Sequence, residues 1–247
     1  MSLTEHSTRA VERRSSACRP GLRNGPCQNV WNDDALSRAV LEGSHSALRT
    51  YDPNRLIYAQ GDPSDHIYML VSGWVAQCCE LADGRRQITR FLLPSALFGS
   101  EAPGQSFGHS ALAVTTAVVC PTARSRFDGL RRQNPTLNER FIRLLEEDHR
   151  YAIRALGVVA QGTARERVGA LLGGLAAAAS AGPMRAGDRV RMPLTQRLIA
   201  EATGLSAVHV NKVLRGLRED RTIDLRHGVL AVLNPMRLQA LMQWSLD

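Results

Sequence analysis

Residues 194–220 read LTQRLIAEATGLSAVHVNKVLRGLRED, and this stretch decides the fold. It divides into two helices joined by a tight turn. Thr195 offers a side-chain oxygen to the first unpaired N–H groups of a helix, and Leu198, Ile199 and Ala202 give that helix one apolar side. Gly204 follows the last periodic residue, where the chain must turn left-handed to stop. Ser206 caps the second helix, whose Val210, Val213, Leu214 and Leu217 recur at helical spacing and face inward. Ala207, Val208, His209, Asn211, Lys212, Arg215 and Arg218 are left on the outer surface. A short helix, a glycine turn and a second helix with a polar, basic outer face make a helix-turn-helix. Just beyond it, residues 222–225 and 229–233 read as two short strands around His227-Gly228, a hairpin signal. The hairpin makes this a winged helix, with Arg226 and His227 at the wing tip near a phosphate backbone.

Composition sets the outer bounds. The chain of 247 residues is long enough for two modest domains, each with its own core. A formal charge of +8 suits a polyanionic partner. Nearly all of it is arginine, because Lys212 is the only lysine. The first thirty residues lack the apolar core of a signal peptide, and the Ala/Gly-rich run at 171–182 is too short and weakly apolar to span a bilayer. Five cysteines in such a chain suit a reducing cytoplasm rather than a disulfide framework. A cytoplasmic protein without membrane association is expected.

The chain order then defines an α+β organisation. Residues 1–30 are polar and broken by Pro and Gly, the composition of a mobile N-terminal arm. Trp31 to Glu42 has the spacing of a short amphipathic helix. From Leu48 to Phe127 short β-rich runs alternate with turn residues such as Gly61-Asp62-Pro63, Ser72-Gly73 and Asp83-Gly84. The six runs 48–51, 55–58, 66–71, 74–81, 86–93 and 111–119 predict a β-sandwich or jelly roll over residues 31–134. Pro135 opens a helix that continues to about Ala160, and residues 135–162 are read as a dimerisation helix. On it Ile142, Leu145, His149, Ala152, Leu156 and Val159 recur in alternating three- and four-residue steps, the a/d pattern of a helix pairing with its own copy. A second stripe, Phe141, Leu144, Tyr151, Ala155 and Val158, serves the helix's own domain. Thr163 restarts a helix, residues 181–191 connect it to Leu194, and residues 163–247 form the winged helix-turn-helix domain.

This succession resembles the Crp/Fnr superfamily of bacterial transcription regulators, on the side of its Fnr/FixK-like branch. The resemblance covers nearly all of the chain after Trp31. It rests on Ile57–Asp62, Ile67–Gly73, Asp83–Ile88 and Leu194–Leu214, taken in that order. It implies a homodimer whose N-terminal domain, a cyclic-nucleotide-binding-like β jelly roll, senses a signal. Its winged helices would bind a near-palindromic, double-stranded DNA operator, and RNA polymerase would be a partner if the protein activates. Members that bind cyclic AMP hold its phosphate with a Gly-Glu-Leu turn and an Arg-Ser pair. The matching positions here are Gly99-Ser100-Glu101 and His109-Ser110-Ala111, where the ribose-binding glutamate and the phosphate-binding arginine are replaced. Neutral His109 supplies no bidentate fork, so cyclic AMP is not the expected ligand.

The Fnr branch instead uses an iron–sulfur cluster. Cys120 matches its sandwich cysteine, and Cys18 and Cys27 lie in the region of its N-terminal ligands. An oxygen- or redox-sensing regulator using Cys18, Cys27 and Cys120 is therefore the alternative. A cubane cluster wants about four thiolates, and only two cysteines stand in the N-terminal region. The simpler reading makes Cys120 and one of Cys78 and Cys79 small buried apolar residues.

The resemblance also assigns base contacts to the first turns of the recognition helix: Ala207, Val208, His209, Asn211 and Lys212. Val208, standing in for the family's glutamate, touches a thymine methyl but accepts nothing from cytosine; Lys212 donates to guanine and Asn211 pairs with adenine. The operator should therefore differ from the Crp and Fnr boxes. Thr195, Ser206, Arg215, Arg218 and Arg226 are candidate phosphate contacts. An enzyme is not expected, because the residues show no nucleophile–base set, no phosphate-binding glycine loop and no metal-ligand spacing among the histidines. A ligand-binding module that controls a partner protein would have no use for the winged helix.

Overall fold

The structure, a computed structural model, describes residues 48–102, 104–180 and 183–242. The arm expected at 1–30, with Cys18 and Cys27, and the helix expected from Trp31 to Glu42 lie outside the described residues.

Eight antiparallel strands build the first domain: β1 (Arg49–Tyr51), β2 (Leu56–Tyr58), β3 (His66–Ser72), β4 (Val75–Glu80), β5 (Arg86–Leu92), β6 (Leu97–Phe98), β7 (Ser110–Ala113) and β8 (Ala117–Ala123). They pair in the orders β1-β8-β3-β6 and β2-β7-β4-β5, the two sheets of the expected jelly roll. Strand alternation assigns each side chain to a layer. Tyr68 and Leu70 of β3 enter the space between the sheets with Val75, Leu92 and Phe98. Ile67 and Met69 point the other way, into a cluster with Cys120, Phe127, Leu137 and Phe141. On β4, Val75 faces inward while Ala76 and Cys78 pack outward into the core of the C-terminal domain. Both sheets are thus covered on both faces.

The run 111–119, expected as one strand, is two. Its first half is β7 and its second half is β8, in different sheets. The corner at Val114–Thr116 is fixed by Trp74, which accepts from the Val114 N–H (2.8 Å) and donates its own N–H to Thr115 Oγ1 (3.0 Å). Gly73 makes the corner fit. A Cβ there would stand 2.3 Å from the Thr116 carbonyl oxygen, and its φ of +90° is a glycine conformation. The two-residue β6 is too short to show a period.

A helix α1 (Arg124–Gln133) follows β8, where the sequence suggested only the end of the β region. Its apolar signal is little more than Phe127 and Leu130, but Phe127 is fully buried edge-on to Phe141, with ring centroids 5.2 Å apart. Helix α2 (Pro135–Gln161) matches its expected span. Asn134 separates the two helices: it is extended, its side chain accepts from the Leu137 N–H (3.1 Å), and Pro135 begins the new helix. Helix α3 (Ala164–Ala179) opens on a capping box, Thr163 with Glu166. Gly162 between α2 and α3 is also sterically required, since a Cβ would lie 2.5 Å from the Val158 oxygen.

The C-terminal domain continues with β9 (Arg189–Arg191), α4 (Gln196–Thr203), α5 (Ala207–Glu219), β10 (Ile223–Arg226), β11 (Val229–Val232) and α6 (Pro235–Met242). The wing is a three-stranded sheet, β10-β11-β9, rather than the expected hairpin alone. β9 lies in the segment read as a connection; its ladder with the free edge of β11 makes it a strand. α6, also absent from the sequence reading, presses on the glycines of α3: a Cβ on Gly169 would meet Leu241 at 2.7 Å, and one on Gly173 would meet Met242 Sδ at 2.5 Å.

Candidate DNA-binding interface and sensor interior

The helix-turn-helix is built by its caps. Thr195 Oγ1 accepts from the Leu198 N–H (3.2 Å) to start α4, and Ser206 Oγ accepts from the His209 N–H (3.2 Å) to start α5. Gly204, with φ of +66°, ends α4 as expected. Ile199 and Ala200 of α4 and Val210, Leu214 and Leu217 of α5 are buried against Val168 and Leu172 of α3. That burial leaves Ala207, Val208, His209, Asn211, Lys212 and Arg215 exposed on one continuous surface, with Val208 69% accessible. Gln196 Nε2 donates to Asn211 Oδ1 (3.4 Å), so α4 orients a residue of α5. Sequence reasoning did not find that contact.

The candidate phosphate contacts divide into two groups. The hydroxyls of Thr195 and Ser206 accept cap hydrogen bonds and keep their O–H free to donate. Arg215 is exposed and lies 3.6 Å from Glu219. Arg218 and Arg226 converge on Asp224: Arg218 Nε at 2.7 Å from Oδ1, Arg226 Nε at 3.0 Å from Oδ2. Slight burial works to raise the Asp224 carboxyl, but hydrogen bonds and charge from the two guanidiniums outweigh it and hold it below the usual carboxylate range. One carboxylate thus ties the recognition helix to the wing. At the wing tip His227 (φ +50°) and Gly228 (φ +70°) form the turn that a twisted hairpin requires.

The expected dimerisation stripe lies on the free side of α2. Ile142, Leu145, His149, Ala152 and Leu156 are exposed, Leu156 at 70%, while Val159 is partly buried. Ile153, outside the heptad reading, joins them at 45%. Of the other stripe, Phe141 and Val158 are buried, Leu144 and Ala155 are partly buried, and Tyr151 stays exposed under the Arg90 guanidinium. The helix has two apolar faces and uses one.

Between the sheets, aromatic rings fill the interior. Tyr58 stacks on Phe107 with centroids 3.8 Å apart, and Tyr68 on Phe98 at 5.4 Å. His109, at the position where relatives place a phosphate-binding arginine, has both ring nitrogens occupied. Nε2 lies 2.8 Å from the Tyr58 hydroxyl and 2.7 Å from Gln77 Nε2, and Nδ1 lies 3.2 Å from Glu101 Oε1. Burial raises the Tyr58 phenol far beyond its ordinary value, so its O–H remains a donor. Burial works to raise the Glu101 carboxyl as well, but the hydrogen bond and charge from His109 prevail and lower it. A glutamate therefore does reach this pocket, one position later than the family turn places it, and is spent on His109.

Among the described residues, the cysteines are not gathered at one place. Cys120 is 1% exposed among Met69, Leu97 and Phe127, and burial pushes the Cys78 thiol up to about 11. Among the described residues no three His, Cys, Asp or Glu side chains are grouped to hold a metal. A cluster needs thiolates gathered at one place. The described cysteines, an adjacent pair on β4 and Cys120 buried on β8, do not by themselves form such a group.

The sensor and DNA-binding domains meet at the β4–β5 hairpin. Arg86 Nε and Nη2 both donate to Glu201 Oε2 (2.9 and 2.6 Å), and Arg197 Nε donates to Glu201 Oε1 (2.9 Å). Gln87 Nε2 adds a bond to the Ala202 carbonyl (3.3 Å). A forked guanidinium on a largely buried carboxylate fixes orientation as well as distance. α4, which positions α5, is thereby held by a sensor-domain strand.

Known proteins agree with this geometry. Residues 48–134 match the cyclic nucleotide-binding domain family and residues 166–241 the Crp-like helix-turn-helix domain family. The nitrogen fixation regulation protein FixK of Rhizobium meliloti (strain 1021) is 31% identical over 208 residues, covering 83% of this chain and 92% of that protein. The transcriptional activator protein Anr of Pseudomonas protegens is 28% identical, covering 89% and 88%. The solved structure of FixK2 from Bradyrhizobium japonicum superposes with a TM-score of 0.72 at 25% identity, over 81% of this chain and 98% of that one. With both domains matched in order and a recognition helix exposed on the second of them, the protein belongs to the Crp/Fnr family of DNA-binding transcriptional regulators.

Proposed function

We propose that the protein acts in the cytoplasm as a homodimer on a near-palindromic operator, with the jelly roll as sensor and RNA polymerase as partner where it activates. The observation that carries this reading is the pairing of two unpartnered features. The free apolar stripe of α2 suits a second copy, and two copies related by a two-fold axis present two recognition helices to successive major grooves. Base contacts are assigned to Ala207, Val208, His209, Asn211 and Lys212, and backbone contacts to Thr195, Ser206 and Arg215. Arg218 and Arg226 add backbone contacts through the N–H groups that Asp224 leaves open. Selection from random duplexes tests this. The expected outcome is a two-fold repeated motif with half-site centres about one helical turn apart; a single asymmetric site would overturn the dimeric reading.

The sandwich is read as a sensor that does not hold cyclic AMP in the family's manner, since both ring nitrogens of His109 already face partners within the protein and aromatic rings stack between the sheets. The cysteine packing likewise supports a signal read without an iron–sulfur cluster. Protein purified without oxygen is expected to be colourless and free of stoichiometric iron and sulfide. Cluster absorbance that disappears in Cys120→Ser would restore the redox alternative built on Cys18, Cys27 and Cys120.

A further inference from the structure

A cleft of about 200 Å³ opens where the sensor strand β5, helix α2 and helix α3 meet. Its walls are apolar: Ile88 and Phe91 from β5, Ala155 and Val158 from α2, Leu171 and Gly174 from α3. The end of α4, at Ala202 and Thr203, closes one side. The space is distinct from the sandwich interior, and Val159 of α2 separates it from the exposed part of the free apolar stripe.

Three arginines reach the cleft, and two are committed. Arg90 is paired with Asp148 and lies over the Tyr151 ring, 5.2 Å from its centroid. Arg167 donates to the carbonyls of Gly162 (2.8 Å) and Thr203 (3.4 Å). Arg154 has no hydrogen bond or ion pair among the described residues. Its exposed guanidinium stands at the rim of an apolar space without an ion pair among the described residues. We propose that the cleft is an effector site for a small organic anion, a carboxylate on an apolar body, with the carboxylate on Arg154 and the body against Phe91, Val158 and Leu171.

Volume and charge set the class. An apolar cavity of roughly 150 Å³ accepts benzene, so this space takes a body somewhat larger, a single ring or a medium aliphatic chain. A cation is repelled by three guanidiniums, and a strongly polar ligand would leave its groups unpaired against the walls. An occupant touches β5, α2, α3 and the end of α4 at once. It therefore stabilises one arrangement of the sensor strand relative to the DNA-reading helices, and a ligand shifts an equilibrium by its difference in affinity for the two states. This coupling to DNA rests on the operator-binding reading above; the site itself does not.

Gly174 provides the control. A Cβ there meets nothing within 4 Å and Gly174 lines the cleft, so the side chain of Gly174→Phe starts into its open space, and replacing a mid-helix glycine does not weaken α3. Full-length protein is titrated calorimetrically with octanoate, octan-1-ol and octylamine, below their aggregation concentrations. Saturable octanoate binding is expected, at least about tenfold tighter than octanol because of the charged pair, with no octylamine binding. Arg154→Gln should erase the preference over octanol, and Gly174→Phe should abolish binding with its melting transition retained. No saturable octanoate binding, equal affinity for octanol, or unchanged binding in Gly174→Phe would each overturn the site. Operator affinity is then measured with and without octanoate. A change in the wild type that is absent in Gly174→Phe supports an effector role, and binding without such a change overturns that role. A protein that binds no operator even without octanoate would fault the DNA reading instead.

Discussion

Replacing Asn211 and Lys212 together by alanine is expected to abolish recognition of the selected operator while the protein remains a folded dimer. Both side chains are exposed, and neither contributes to the core that seats α5, so the fold has no stake in them. Each side chain paired with a base edge is worth about 1–3 kcal/mol of discrimination, and a two-fold symmetric dimer makes each contact twice. Either single change should therefore cost about 2–6 kcal/mol against the best operator, roughly thirtyfold to ten-thousandfold. The loss should fall at one base position per half-site. Arg215→Ala provides the contrast: a backbone contact should weaken all sequences alike and flatten the salt dependence by about one counterion per site. Fluorescence anisotropy on a panel of single-base operator variants separates the patterns. If Asn211→Ala and Lys212→Ala weaken every duplex equally, the assignment of α5 as the reading element is wrong.

The second large effect belongs to the free stripe of α2. Leu156→Glu, alone or with Leu145→Glu, should convert the protein to a folded monomer that melts cooperatively and without the concentration dependence of a dimer, because neither side chain belongs to the protomer's own core. Burying a leucine contributes about 1.5–3 kcal/mol, and each substitution acts on both copies. The new carboxylates must in addition leave water without a partner. The dimer dissociation constant should rise at least a thousandfold in sedimentation, by about 4 kcal/mol or more. Operator binding should fall with it, since one winged helix holds only a half-site. A Leu145→Glu, Leu156→Glu protein that remains dimeric would move the interface to another surface.

What was legible in the sequence was local. Thr195, Gly204 and Ser206 each act on a backbone within three residues, and His227-Gly228 sets its turn from its own two φ angles, so the helix-turn-helix and wing tip could be read directly. The chain also announces the two faces of α2 through its period, apart from Ile153, which falls between heptad positions. What stayed hidden depends on distant partners. β9 is a strand because β11 offers an edge. The apolar run 111–119 changes sheets because Gly73 and Trp74 hold its corner. Asp224 joins two arginines that the sequence treats as separate. The sensor interior shows the same limit, since Glu101 sits beside His109 only after the sheets close.

The single lysine gives the molecule an unusual chemical address. Lys212 is exposed on the first turns of α5, and every other side-chain cation of comparable strength is an arginine. An acylating reagent therefore finds one ε-amine on the whole chain, besides the α-amino group, and finds it on the surface proposed to read DNA. Any enzyme that acetylates lysine side chains would neutralise that same position and no other, so one covalent event would silence sequence reading while leaving the rest of the protein chemically untouched.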